Sequence, residues 1–224
     1  KVRFLSHRDV ARVTERAIRR AGIPVAYSVG YSPRPKVQYG LALSTGYESD
    51  GEYIDIYLDP DREGVTDPAE MALELTACLP EGLDVIAAGE IPPGEGSLQD
   101  SVESTSWVAH VSEIPREELS ARVDALLATP SHEIEIIRKG KPVREDLRPL
   151  LMELSVADGD HPCVLSAELG TKPRSIRPSE LLEALGVCEP QLVRRTHQWT
   201  RRDDIRGEPL GLDGSAPRAG LCAS

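Results

Sequence analysis

Between His7 and Ala21 the apolar residues Val10, Val13, Ala17 and Ala21 recur at helical spacing, while Arg8, Arg12, Arg16, Arg19 and Arg20 gather on a second face. Ser6 stands where an N-cap is needed and Asp9 follows three residues later, an acidic form of the capping box. Gly22 and Pro24 close the segment, so the pattern predicts a helix over 7–21. Before it, Val2-Arg3-Phe4-Leu5 reads as the end of a strand, and the chain is expected to continue upstream of Lys1. After it, Val25-Ala26-Tyr27 predicts a short strand. Gly30 to Lys36 predicts a basic loop stiffened by Pro33 and Pro35, which fix their own φ and push their neighbours into extended geometry. Alternation predicts strands over 37–43, 52–58 and 83–88, and a helix over 67–78 carries Pro68 in its first turn.

Residues 91–106 begin with a Pro- and Gly-rich run and read as a linker or crossing loop, after which the pattern restarts. Strands are expected over 107–111, 132–138, 150–156, 163–169 and 191–200, with helices over 116–128 and 178–185. Both halves then follow the order β-α-β-β-α-β, the first with one extra strand. The expected fold class is α+β, with two tandem ferredoxin-like units and antiparallel sheets. The expected organisation is a first unit over 1–92, a linker over 93–106, a second unit over 107–202, and a disordered tail over 203–224 rich in Gly, Pro and charge.

Composition narrows the class without naming a function. A chain of 224 residues, 40% apolar and 28% charged, has room for two small cores and is ordinary for a soluble globular protein. No apolar run approaches the roughly 18 residues that span a bilayer, and residues 1–224 show no signal-peptide pattern, so no membrane partner is expected. Cys78, Cys163, Cys188 and Cys222 are widely spaced with no C-x-x-C. They read as reduced, incidental thiols of a cytoplasmic protein, with neither zinc nor an iron–sulfur cluster. Phosphate-binding, dinucleotide-binding, zinc-protease and nucleophile-elbow motifs are absent, so no cofactor, metal or enzyme class is indicated.

Charge changes the picture. Residues 1–40 hold nine Lys or Arg against Asp9 and Glu15, a net +7, which leaves −18 for the remainder of a chain whose total is −11. A cationic face on an acidic protein is how a polyanion site looks in sequence. Arg residues four apart on the helix repel by a few tenths of a kcal/mol per pair, so the stripe implies either nearby acids or an external anion. The candidate anion-binding residues are Arg3, His7, Arg8, Arg12, Arg16, Arg19, Tyr27, Arg34 and Lys36. The alternative is a solvated face neutralised by acids of residues 48–90. In the second half Leu147-Arg148-Pro149, Ile176-Arg177-Pro178 and Arg194-Arg195-Thr196 add Arg148, Arg177 and Arg195 as candidates. Each of these arginines is otherwise expected to end a strand and pair with an acid such as Glu145 or Glu180. His7, beside Asp9, is a candidate acid/base group, with capping or packing as its alternative.

Arg3-Phe4-Leu5-Ser6-His7-Arg8-Asp9, Arg16-Ala17-Ile18-Arg19-Arg20-Ala21-Gly22-Ile23-Pro24, Ala26-Tyr27-Ser28-x-Gly30 and Pro33-x-Pro35-Lys36 together resemble the radical-SAM-linked family of bacterial proteins. Gly46, Ser49, Glu52, Tyr53 and Asp55 continue the likeness, as do the Leu-Arg-Pro, Ile-Arg-Pro and Arg195-Thr196 stretches, so that it covers about residues 1–200. The family's shared domain has no assigned function. The resemblance implies a domain that occurs fused to, or encoded beside, a radical-SAM protein, often near a ribonuclease of the E/G type. This chain lacks the cluster-binding cysteines, so it is similar to the stand-alone accessory form, with a radical-SAM protein as partner. Family members usually begin with one more strand. A distant likeness to the CRISPR repeat-cleaving endoribonucleases implies RNA held by two ferredoxin-like domains. The expected function is therefore a non-catalytic module that binds structured RNA, tRNA or ribosomal RNA. A metal-independent endoribonuclease using His7 with Tyr27 or Lys36, and an adaptor docking an acidic protein surface, stand as alternatives.

Overall fold

A computed structural model describes residues 2–91, 96–138, 140–158, 162–202 and 204–211. After a 3-10 turn at Val2–Phe4 come α1 (His7–Arg20), β1 (Val37–Tyr39), β2 (Glu48–Ser49), β3 (Ile54–Ile56), α2 (Pro68–Cys78) and α3 (Leu98–Ser101). Next are β4 (Val102–Val111), α4 (Arg116–Ala128), β5 (Glu133–Arg138), β6 (Lys141–Asp146) and a 3-10 turn at Arg148–Leu150. The chain continues with β7 (Leu151–Val156), β8 (Cys163–Gly170), α5 (Pro178–Ala184), β9 (Leu192–Arg202) and β10 (Ile205–Gly207). The class is α+β. Two compact units emerge: 1–46 with 52–101 and 200–224, and 47–51 with 102–199.

In the first unit the local signals act as expected. Ser6 accepts from the Asp9 N–H and the Asp9 carboxylate accepts from the Ser6 N–H, a complete capping box that starts α1. Gly22 follows the last turn at φ +68, a left-handed position that only glycine takes cheaply. Asp67 caps α2 through the Glu70 N–H at 2.9 Å. Ala17, Ile18, Ala21 and Ile23 of α1 and its exit pack with Met71 and Leu75 of α2, and with Val25, Ile56 and Leu58. β1 and β3 pair antiparallel with Val37 opposite Ile56 and Tyr39 opposite Ile54.

Three expected strands differ here. Val2–Phe4 is a 3-10 turn, with the Arg3 carbonyl taken by the Gly46 N–H. Residues 25–27 make single bridges only, Val25 to Leu58 and Tyr27 to Pro35. Residues 83–88 alternate correctly but pair with no strand among the described residues, and the Val85 N–H donates instead to the Thr76 hydroxyl of α2 at 2.9 Å.

In the second unit the elements follow β4-α4-β7-β8-α5-β9 in chain order, with the β5–β6 hairpin inserted between α4 and β7. The spatial order of the four long strands is β9-β4-β8-β7, and β8 runs antiparallel to β4 and to β7. The short β2 adds to β9 in parallel, so the sheet is mixed rather than purely antiparallel. Trp107 and Ala109 of β4, Leu165 and Ala167 of β8, and Val193 of β9 face Leu181 and Leu182 of α5. Each large apolar side chain buried there contributes about 1.5–3 kcal/mol. The supposed linker is partly structured: α3 and the first half of β4 fill 98–106, with Leu98 and Val102 buried, while 92–95 lie outside the described residues. The supposed tail also holds structure. β10 pairs antiparallel with the end of β9, and Glu208 is buried; residues 203 and 212–224 lie outside the described residues. Among the described residues no helix is long and apolar enough to cross a membrane.

Candidate anion-binding surface

α1 is amphipathic in an unusual way, because the face opposite the core is made of arginine. Thr14, Ala17, Ile18 and Ala21 are buried, and on a 3.6-residue repeat Arg8, Arg12, Arg16 and Arg19 fall on the far side. All four are exposed. Arg12 makes one distant ion pair, 3.8 Å to Asp9, whose carboxyl is held below its usual range chiefly by the Ser6 hydroxyl. Among the described residues Arg8, Arg16 and Arg19 have no ion-pair partner, and none of the carboxylates of 48–90 reaches any of the four.

The loop that was expected to complete this surface is built differently. Ser28 and Arg34 close it: the Ser28 N–H donates to the Arg34 carbonyl at 2.9 Å and the Arg34 N–H to the Ser28 hydroxyl at 3.0 Å. Below them Tyr27 bridges Pro35, and the Lys36 N–H bonds the Ala26 carbonyl. Val37 packs on the core and the Tyr39 hydroxyl donates to the Ala11 carbonyl of α1 at 3.2 Å, so this face of the hairpin meets the helices. Side chains alternate along a strand, which sends Lys36 and Gln38 to the opposite face, where both are exposed. Lys36 thus leaves the unit on a different side from the α1 stripe.

His7 lies at the first position of α1, its ring edge-on to Tyr39 at 5.4 Å, which is a packing contact. Burial pushes the Tyr39 hydroxyl up to about 12, with Glu15 adding to the effect, so it stays protonated at neutral pH. Tyr27 is half-buried and packs against the core cluster, with the Arg62 guanidinium 5.7 Å above its ring. It sits opposite Pro35, four residues from Tyr39 along the strand, about 13 Å at 3.3 Å per residue. His7, Tyr27 and Lys36 are therefore not brought together. Arg3 is half-buried with its guanidinium 4.9 Å above the Phe4 ring, and Phe4 itself is exposed.

The second-unit candidates part company. Arg195 is only 2% exposed, and its guanidinium lies 5.3 Å over the Trp107 ring, against which Tyr47 also packs edge-on. Arg148 is half-buried and donates to the carbonyls of Leu127, in the last turn of α4, and Leu151, so it serves the helix C-terminus. Arg177 is exposed at the N-cap of α5, and its N–H donates to Glu180. The acids named in the alternative reading do bind an arginine, but it is Arg174, paired with Glu145 and with Glu180 at 2.7 Å. Arg194 pairs with Glu48 at 2.9 Å. Alternation along β9, with Val193 and Arg195 sharing the inner face, is the signal that separates these two neighbours.

Cys78, Cys163 and Cys188 are in no disulfide, and Cys222 lies outside the described residues. Among the described residues no three of His, Cys, Asp and Glu gather as a metal site.

Comparison with known proteins gives a family. A model described as "Uncharacterized protein conserved in bacteria (DUF2344)" matches residues 1–178. The chain belongs to this family. The match includes α1, the 28–36 loop and most of the second unit. No curated protein matches the chain. Among solved structures, a chain of the crystal structure of a Cbf5-Nop10-Gar1 complex is similar at 14% identity and a TM-score of 0.32, over 44% of this chain and 31% of that one.

Proposed function

We propose that this DUF2344 protein is a non-catalytic RNA-binding module that presents a structured RNA, tRNA or ribosomal RNA, to a radical-SAM partner, with the arginine stripe of α1 as its main contact. The observation that carries the reading is the state of that stripe: four exposed arginines on one helix face, of which only Arg12 has an acid within 4.0 Å among the described residues. Guanidinium forks suit phosphate oxygens and are set at a spacing that a rigid helix maintains. The acidic remainder of the chain restricts the footprint, so selective rather than general nucleic-acid affinity is expected. The radical-SAM partner rests on the family resemblance of the first sixty residues. The reading of the second unit as ferredoxin-like rests on its strand order, β9-β4-β8-β7. Arg34, Lys36 and Arg177 are exposed and stay in the proposed contact set; Arg148 and Arg195 serve the fold.

The test is fluorescence anisotropy of labelled tRNA and of a matched duplex DNA at two salt concentrations, with an R8Q/R12Q/R16Q/R19Q variant alongside. Removing one phosphate contact reduces the logarithmic salt slope by about 0.7–0.9, so the variant should flatten it by roughly 3. Salt-insensitive binding, or a variant that binds as the native protein does, would sink the proposal.

A further inference from the structure

Resting on that RNA reading, we infer that the tip of the 28–34 hairpin loop is a stacking post for an unpaired nucleotide, with Tyr31 as the stacking ring. Tyr31 and Val29 are fully exposed, at 108% and 103% of the reference area, more than any other large hydrophobic side chain among the described residues. An aromatic ring held wholly in water contributes nothing to the core that its loop caps, and both of its faces are open to a ligand. The base of the loop is braced. The two Ser28–Arg34 hydrogen bonds cross it, the Tyr27–Pro35 bridge lies below them, and Pro33 and Pro35 fix two of the backbone angles. Gly30, at φ +149, takes a backbone conformation that residues with a side chain rarely adopt. The loop thus holds a ring out in front of a rigid stem.

Charge selects the occupant. Arg34 and Lys36 follow the ring three and five residues on, both exposed, and residues 28–37 contain no acid. An exposed ring on a loop that also carries exposed cations and no acid suits a nucleotide, which offers a flat base and a phosphate. It matches a base-paired helix poorly, since paired bases offer no free face. The occupant is therefore an unpaired base in a loop, bulge or single-stranded end. A stacking ring on this loop adds a preference for unpaired bases to the charge-driven binding of the α1 stripe.

The experiment uses the full chain with two RNAs of equal length: a hairpin with 2-aminopurine in its loop, and a fully paired duplex. Native protein should quench the 2-aminopurine and favour the hairpin. Tyr31→Ala should weaken hairpin binding roughly tenfold, abolish the quenching and leave duplex binding unchanged, while Tyr31→Trp should restore both. If Tyr31→Ala binds and quenches normally while R8Q/R12Q/R16Q/R19Q loses both RNAs, the stacking post is wrong and the RNA module stands. If the native protein binds neither RNA, the RNA reading falls and the stacking post with it. A Tyr31→Ala loss equal on hairpin and duplex also overturns it, because a stacking ring would not act on paired RNA.

Discussion

In sequence the arginines of the two units are alike, and in the fold they do opposite things. On α1 they stand in water on the side away from the core, with a single distant acid pair among them. In the second unit Arg174, Arg194 and Arg148 are tied to Glu145 and Glu180, to Glu48, and to two carbonyls, and Arg195 is buried over Trp107. The lesson concerns what an arginine count means. A guanidinium has five donors and a long apolar stem, so it is equally able to hold a fold together or to reach outward. Partners decide which, and partners are long-range: Arg194 and Glu48 are 146 residues apart in the chain.

Substitutions should separate the two groups, and stability is the readout that orders them. Arg195→Ala should have the largest effect, lowering the unfolding free energy by about 3 kcal/mol, because it removes a packed side chain and its ring contact together. Urea denaturation checks this, and a change under about 1 kcal/mol would break the contrast. Arg148→Ala should come next, at about 1–2 kcal/mol, since two carbonyls lose a charged donor and one of them ends α4. Hydrogen exchange sharpens that result: protection should fall in the last turn of α4 before it falls elsewhere. The smallest effect belongs to R8Q/R12Q/R16Q/R19Q, which should stay within about 1 kcal/mol and err toward stabilisation, as like-charged neighbours on one helix face are relieved. A large loss of stability there would mean that the stripe has structural partners after all.

How much of this was legible depended on range. α1, α2 and α4 are marked by residues within a few positions of their ends: Ser6 with Asp9 and Gly22, Asp67 with Pro68, Pro115 before Arg116. Local signals suffice where a helix satisfies its own backbone. Strands need a neighbour, and that is where sequence pattern falls short. Residues 83–88 have the right alternation and, among the described residues, no strand beside them, whereas β6, with the polar sequence Lys-Pro-Val-Arg-Glu-Asp, forms because β5 pairs with it across Gly140. β10 was hidden for the same reason, lying in a stretch whose composition looks unstructured until the end of β9 pairs with it. In the candidate site the exposed stripe was legible from helical spacing alone. The loop's separation from it was not, because it depends on which face of the 35–39 segment meets α1, and Tyr39 decides that through Ala11. The burial of Arg195 was half legible: its alternation with Val193 was present in sequence, but the Trp107 that receives it comes from another strand.

The exit of α1 has a consequence of its own. Gly22 and Gly64 lie back to back, so close that a Cβ on Gly64 would overlap the Gly22 carbonyl, which itself accepts from the Val65 N–H. The capping box sets where the helix begins, and the Gly22–Gly64 approach holds its exit. The helix behaves as a graduated rule. From Arg8 to Arg19 the rise is about 16 Å at 1.5 Å per residue, close to five phosphate-to-phosphate steps at about 3.4 Å each along one strand of a duplex. One residue inserted in the middle of α1 would turn the later marks by about 100° relative to the earlier ones, splitting the scale while leaving every charge in the chain.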